Sequence, residues 1–244
     1  MSAAPPRRRA LVTGASGGIG RAIAERLAGD GAHVIVHAHT RIAAADALAA
    51  AIVASGGSAE AIAFDVTDRE ACRAACERLV AAGAIQIVVN NAGLHDDAVF
   101  PALREEQWHR VVAASLDGFF NVTQPLVMPM LRTRWGRIVN LSSIASLTGN
   151  RGQVNYAAAK GAINSATKAL ALELASRGVT VNAVAPGIVD AGMGEAFDAA
   201  LIDRLVPMKR AGRAEEVAAL VAFLASDDAA YISGQVISIN GAMI

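Results

Sequence analysis

The sequence predicts a single α/β domain built on a doubly wound parallel sheet. Three observations carry this. The chain has 244 residues with no linker or charge run to divide it, within the ~200–250 that one such domain often occupies. Short Val- and Ile-rich runs alternate with longer Ala- and Leu-rich stretches of helical period. A glycine-rich turn follows the first run directly. Apolar residues make up 54% of the chain and charged ones 18%, below the usual ~25%, which is enough material for a sheet buried on both faces.

Strands are predicted at residues 10–13, 34–37, 61–64, 87–90, 137–141, 179–184 and 236–239. They are continuously apolar, as strands covered on both faces are, and the helical stretches between them require parallel crossovers. The architecture is therefore Rossmann-type, one domain over residues 1–244, with its ligand expected outside the carboxyl ends of the strands where strand order reverses. Residues 188–212, between the sixth strand and the next helix, read as a substrate loop. Pro125 and Pro129 fall inside the helical stretch after Glu105 and predict a kink there. Arg7, Arg8 and Arg9 are expected to flank the first strand. They do not start an export signal, because the apolar stretch of ~7–15 residues that such a signal needs is cut short by the glycines from Gly14 on.

No apolar run approaches the ~18 residues of a membrane span, so a soluble, cytoplasmic protein is expected. The 22 basic residues balance the 22 acidic ones, which removes any electrostatic basis for binding nucleic acid or an anionic membrane non-specifically. Cys72 and Cys76 lie one helical turn apart, which is neither a redox C-x-x-C nor a disulfide framework, and they are expected to be buried or half-buried thiols serving as small apolar residues. No histidine or carboxylate spacing suggests a metal: His37 and His39 alternate along a strand end, and His95, Asp96 and Asp97 read as a polar loop.

The first strand runs into Thr13-Gly14-Ala15-Ser16-Gly17-Gly18-Ile19-Gly20 and then a helix. Glycines let the backbone approach a pyrophosphate, whose charge is met by the free N–H groups at the helix start, so Gly14, Ser16, Gly18, Ile19 and Gly20 are assigned to a dinucleotide. About 20 residues later, where an Asp or Glu would hold the 2′-hydroxyl of NAD, the chain reads Ala38-His39-Thr40-Arg41. With no carboxylate in that run and donors at His39, Thr40 and Arg41, NADP(H) is the expected cofactor. Asp65 and Val66, after the third strand, are placed at the adenine. Asn91, Ala92 and Gly93, after the fourth, are placed along the cofactor cleft.

Further on, Ser143 follows the fifth strand, and Tyr156 and Lys160 stand at i and i+4, which puts them on one helical face. Together with the glycine turn, Asn90-Asn91-Ala92-Gly93, Tyr156-Ala157-Ala158-Ala159-Lys160 and Pro186-Gly187, these residues resemble the short-chain dehydrogenase/reductase family, in the family's order and across nearly the whole chain. Asn155 to Gly161, Ala175-Ser176-Arg177-Gly178 and Ala225-Ser226-Asp227 are most similar to its bacterial 3-oxoacyl-(acyl-carrier-protein) reductases. The residue chemistry agrees with a reductase. An ammonium near a phenol should lower the phenol's pKa from ~10 and make Tyr156 a workable proton donor, while Ser143 hydrogen-bonds a substrate carbonyl.

The resemblance implies more. Lys160 would hold the nicotinamide ribose, and Pro186, Gly187 and Val189 would lie along the cofactor. Ser115 stands where the family commonly has an asparagine that holds a water, Ala191 where a threonine often contacts the cofactor, and Gly17 where NADP-preferring members often carry arginine. Arg134 and Arg177 match arginines that dock an acidic acyl carrier protein. A homotetramer is implied, with the carboxyl-terminal strand and the long helices at its interfaces. The leading substrate is a 3-oxoacyl thioester on carrier protein, in fatty-acid, polyene or polyketide synthesis. Two alternatives stay open: an acetoacetyl-CoA reductase or a small alcohol or sugar dehydrogenase, and a weakly active cofactor-binding subunit of a hetero-oligomeric reductase.

Overall fold

The computed structural model describes residues 7–190 and 199–244. Seven parallel strands form the central sheet in the order β3-β2-β1-β4-β5-β6-β9. They are β1 (Arg9–Val12), β2 (His33–Ala38), β3 (Ser58–Ala63), β4 (Ile87–Asn90), β5 (Gly136–Leu141), β6 (Val179–Pro186) and β9 (Val236–Ile239). The short strands β7 (Val189–Asp190) and β8 (Gly212–Arg213) pair separately. Between them run α1 (Gly18–Gly29), α2 (Ile42–Ala54), α3 (Arg69–Ala81), α4 (Glu105–Val112), α5 (Gly118–Thr133), α6 (Ala145–Thr148), α7 (Val154–Leu174), α8 (Ala199–Leu205) and α9 (Ala214–Ala225). The predicted doubly wound α/β architecture is the observed one.

The strands sit between two apolar layers, as their continuous hydrophobicity requires. On one side Val12, Val34, Val36 and Val89 pack with α1, α2 and α9 through Ile23, Leu48 and Val221. On the other, Leu11, Ile35, Val88 and Ile138 pack with α3, α5 and α7 through Leu79, Leu126 and Leu174. Cys72 and Cys76 belong to this second layer, both fully buried, and burial pushes both thiols up to about 12. Arg8 and Arg9 do flank β1. Arg8 pairs with Asp227 at 2.7 Å and stacks on Trp135, and Arg9 donates to the Leu79 carbonyl at 2.6 Å.

One expectation is corrected. Strand β3 begins three residues earlier than predicted, at Ser58, and ends at Ala63. It is one of the two edge strands and only partly buried, so its first residues, Ser58, Ala59 and Glu60, carry no apolar signature. The α5 helix runs through Pro125 and Pro129, and it is preceded by a π-helical turn at Ala113–Asp117. Such a turn inserts one residue into the helical ladder and commonly marks functional positions. Ser115 lies within it. The 188–212 segment carries β7, α8 and β8, and Ala191 lies outside the described residues. Among the described residues, no helix is long and apolar enough to cross a membrane.

Strand order reverses at β1, which pairs with both β2 and β4. At that switch point Thr13 and Asn91 brace the glycine turn. The Thr13 hydroxyl accepts from the Asn91 and Ala92 N–H groups at 3.0 and 2.9 Å, and Asn91 Nδ2 donates to the Thr13 and Gly14 carbonyls at 2.9 and 3.1 Å. This leaves no room for a side chain at Gly20, where a Cβ would come within 2.5 Å of both Asn91 Nδ2 and the Gly14 carbonyl. Gly20→Ala should therefore lower unfolding stability by about 1–3 kcal/mol, the usual cost of overpacking, read from urea denaturation with an unchanged slope.

Candidate functional site

One cleft of about 1410 Å3 opens over the carboxyl ends of the strands. It collects Gly14, Ser16, Gly18, Ile19, Gly20, His39, Thr40, Arg41, Asp65, Val66, Asn91, Ala92, Gly93, Ser143, Tyr156, Lys160, Pro186, Gly187 and Val189. Ser115 is the one predicted site residue that does not line it; it lies directly behind Gly93, whose Cβ, if present, would stand 3.5 Å from Ser115 Oγ and 3.3 Å from Lys160 Nζ. Residues the sequence reading did not assign also face the cleft, among them Leu94, Arg110, Ile144, Leu201, Arg204 and Leu205. The last three come from α8 inside the 188–212 segment, and composition alone gave no sign of which part of that segment turns inward.

At one end of the cleft, Gly14 and Gly18 take the left-handed backbone conformation, with φ of +63° and +58°. The first turn of α1 has neither a capping side chain nor an acidic residue. Its N–H groups and positive dipole end therefore face the cleft uncompensated, an arrangement that fits the pyrophosphate of a dinucleotide. Arg41 folds back over this loop. A Cβ at Gly17 would lie 3.5 Å from Arg41 Nη1, so the guanidinium fills the space left by the side chain that position 17 lacks. The sequence reading found no carboxylate in the β2 run, but tertiary structure supplies one nearby: Asp65 Oδ2 stands 3.4 Å from His39 Nε2. Asp65 Oδ1 is engaged by the Thr67 N–H and hydroxyl, each at 2.8 Å.

At the other end stand Ser143, Tyr156 and Lys160. Ser143 follows the end of β5 by two residues, and its hydroxyl accepts from the Ala145 N–H at 3.2 Å. Lys160 is buried, and its ammonium donates to the Leu141 carbonyl at 2.7 Å. Burial lowers its pKa to about 8. Its Nζ is 5.7 Å from the centre of the Tyr156 ring. The expectation that this ammonium pulls the phenol below its ordinary pKa is not met. Burial pushes Tyr156 upward, Ser143 opposes the shift, and the Asp97 carboxylate adds to it. Desolvation of the phenolate outweighs the Ser143 hydrogen bond. Tyr156 therefore keeps its proton at neutral pH, the state a proton donor needs.

The Ser115 hydroxyl is buried with no hydrogen-bond partner, beside Gly93 and facing the same small space as Lys160 Nζ. A buried hydroxyl without a partner is costly, and a bridging water would satisfy both groups. His95 stands edge-on to Tyr156, 6.4 Å between ring centres, with Nδ1 3.3 Å from Asp97. Among the described residues, no group of three or more His, Cys, Asp or Glu is placed to hold a metal ion.

Arg134 and Arg177 are adjacent to each other, with Arg134 Nη2 donating to the Ser176 carbonyl at 3.3 Å. They do not join the cleft. Arg134 stands two residues before β5 and Arg177 two residues before β6, so both lie at the amino ends of the sheet, about 20 Å of strand away from Ser143.

Comparison with known proteins agrees with this geometry. The family model described as short chain dehydrogenase matches residues 8–201. The chain is 48% identical to the 3-oxoacyl-(acyl-carrier-protein) reductase FabG of Aggregatibacter actinomycetemcomitans, over 96% of this chain and 98% of that protein. It is 44% identical to the 3-oxoacyl-(acyl-carrier-protein) reductase of Synechocystis, over 96% of each chain. It is 42% identical to FabG of Staphylococcus aureus strain Mu50, over 97% of this chain and 98% of that one. With the motif order, the sheet topology and the cleft all in agreement, the chain belongs to the short chain dehydrogenase family.

Proposed function

We propose that this chain reduces a 3-oxoacyl thioester, presented on acyl carrier protein, to the 3-hydroxyacyl thioester with NADPH. The observation that carries this reading is the single cleft, with a phosphate-type loop and Arg41 at one end and Ser143, Tyr156 and Lys160 at the other. The names of its relatives support the substrate class.

A nicotinamide held in this cleft would supply the hydride that the carbonyl carbon takes up. Tyr156 gives its phenolic proton to the carbonyl oxygen, so the ketone gains one hydride and one proton and leaves as an alcohol. Ser143 donates a hydrogen bond to the same oxygen as negative charge develops on it. Lys160 is positioned to hold the ribose next to the nicotinamide, and its charge favours the phenolate that Tyr156 leaves behind. At the adenosine end, Arg41 and Thr40 would hold the 2′-phosphate, and Asp65 and Val66 would hold the adenine. Leu201 and Leu205 offer apolar surface to the acyl chain.

The chain is also read as a homotetramer joined through its long helices. Exposed Phe120 and Met128 on α5 and Leu172 on α7, the last 85% exposed, support apolar contacts there. Carrier docking on Arg134 and Arg177 stays part of the proposal, at the amino end of the sheet. One observation favours a second reading, a cofactor-binding subunit of low intrinsic activity. The Ser115 hydroxyl is buried without a hydrogen-bond partner, at the position where the family commonly has an asparagine.

The deciding assay follows NADPH absorbance when the purified chain meets a 3-oxoacyl carrier protein or acetoacetyl-CoA. Rapid oxidation favouring the carrier substrate, reduced by about 1000-fold or more in Tyr156→Phe, is expected from the loss of a positioned proton donor together with its phenolate. Turnover near zero that recovers only on adding a partner protein supports the second reading instead.

The pH dependence should be one-sided. Tyr156 is raised and stays protonated, whereas Lys160 loses its charge as pH rises through about 8, so kcat/KM for reduction should be level near pH 7 and fall above pH 8. Arg41→Ala should raise KM for NADPH by about tenfold or more while leaving that for NADH within about twofold, because only the former loses a charged hydrogen bond.

A further inference from the structure

His37 is a polar residue near the carboxyl end of β2, where it follows the buried apolar run Val34-Ile35-Val36 and is itself 1% exposed. Its surroundings fix its chemical state. The Gly14 N–H donates to Nδ1 at 3.1 Å, so Nδ1 carries a lone pair. The ring proton is then on Nε2, which donates to the Phe64 carbonyl at 2.9 Å. The backbone carbonyl of the same residue accepts from the Ala15 N–H at 2.8 Å. The ring rests against Phe64, 4.1 Å between centres.

One residue thus ties together the first two N–H groups of the glycine loop and the end of β3, directly before Asp65 and Val66. These two segments form opposite walls of the adenosine end of the cleft, and His37 lines the cleft between them.

The geometry points to His37 as a positioning residue for the dinucleotide: its neutral imidazole holds Gly14 in the left-handed conformation and fixes the spacing between the phosphate loop and the adenine wall. Without Nδ1, the Gly14 N–H loses its acceptor, and the loop relaxes to find another. Protonated, the ring would set one donor against another at Gly14. Burial prevents this by lowering the histidine to about 4; His39 lowers it further, and neither the Phe64 carbonyl nor Asp65, which act the other way, reverses the shift. Ser143, Tyr156 and Lys160 are at the far end of the cleft, so the clamp should act on cofactor binding and leave the chemical step alone.

The inference rests on the dinucleotide reading of the cleft, and calorimetric titration of NADP+ into the full-length chain separates the two. No binding by the wild type overturns the dinucleotide reading itself. Given wild-type binding, the informative pair is His37→Leu and His37→Asn, nearly the same shape, of which only asparagine places an oxygen where Nδ1 stands.

The leucine variant is expected to bind NADP+ about tenfold more weakly, with kcat at saturating NADPH within about twofold of wild type, and the asparagine variant to bind within about threefold. Equal affinities for the two variants, or a fall in kcat with unchanged affinity, overturn the clamp. Should the leucine variant not fold, the asparagine affinity and the ring-nitrogen NMR shifts of His37 in the wild type still decide: a proton on Nδ1 overturns the proposal.

Discussion

The burial of the Lys160 ammonium is the constraint around which the rest of the site is arranged. Taking a cation out of water lowers its pKa from 10.5 to about 8, a penalty on the order of 3 kcal/mol at neutral pH that is relieved only as pH rises from about 8 towards 10.5. The fold offsets part of this with one strong acceptor, the Leu141 carbonyl at the end of β5. Leu141 is the last residue of β5, and the chain then leads on to place Ser143 at the cleft. The same strand end therefore supplies both the ammonium's partner and the hydroxyl facing Tyr156.

Holding α7 in register with β5 is then essential, and a buried polar chain does so. Asn90 on β4 donates to Thr123 on α5 at 2.8 Å and to Asn140 on β5 at 2.9 Å, and Asn140 donates to Thr167 on α7 at 2.8 Å. Apolar packing tolerates small slips between layers; a fully paired buried network does not, because a slip would leave its members unsatisfied. The glycine loop is held at the other end of the cleft by the same kind of bonding, through Thr13, Asn91 and His37. The two ends of the cleft are thus fixed independently to one rigid sheet, which suits a ligand long enough to span both.

Much of this was legible in the sequence. The central strands announced themselves because burial on both faces demands continuous apolar runs, and the glycine turn and the Tyr156–Lys160 spacing encode local geometry directly. What escaped was tertiary. Strand β3 lacks an apolar start because it is an edge, and β7 and β8 are too short to carry a pattern. The π-helical turn around Ser115 has no compositional mark. The pKa of Tyr156 reversed in sign because local spacing shows the nearby cation but not the desolvation of both groups. His37 was read only as a strand end, although a lone polar residue within an apolar run was a signal that something must pair with it. The location of Arg134 and Arg177 could have been read, since residues directly before parallel strands lie at the end opposite the ligand.

The central claim is that one dinucleotide bridges the two ends of this cleft. The most direct measurement is a crystal structure of the chain grown with NADP+. The account predicts the pyrophosphate on the N–H groups at the start of α1, the 2′-phosphate in contact with Arg41, and a ribose hydroxyl next to the nicotinamide within hydrogen-bonding distance of Lys160 Nζ. An ordered dinucleotide whose nicotinamide end lies away from Tyr156 and Lys160 would contradict it.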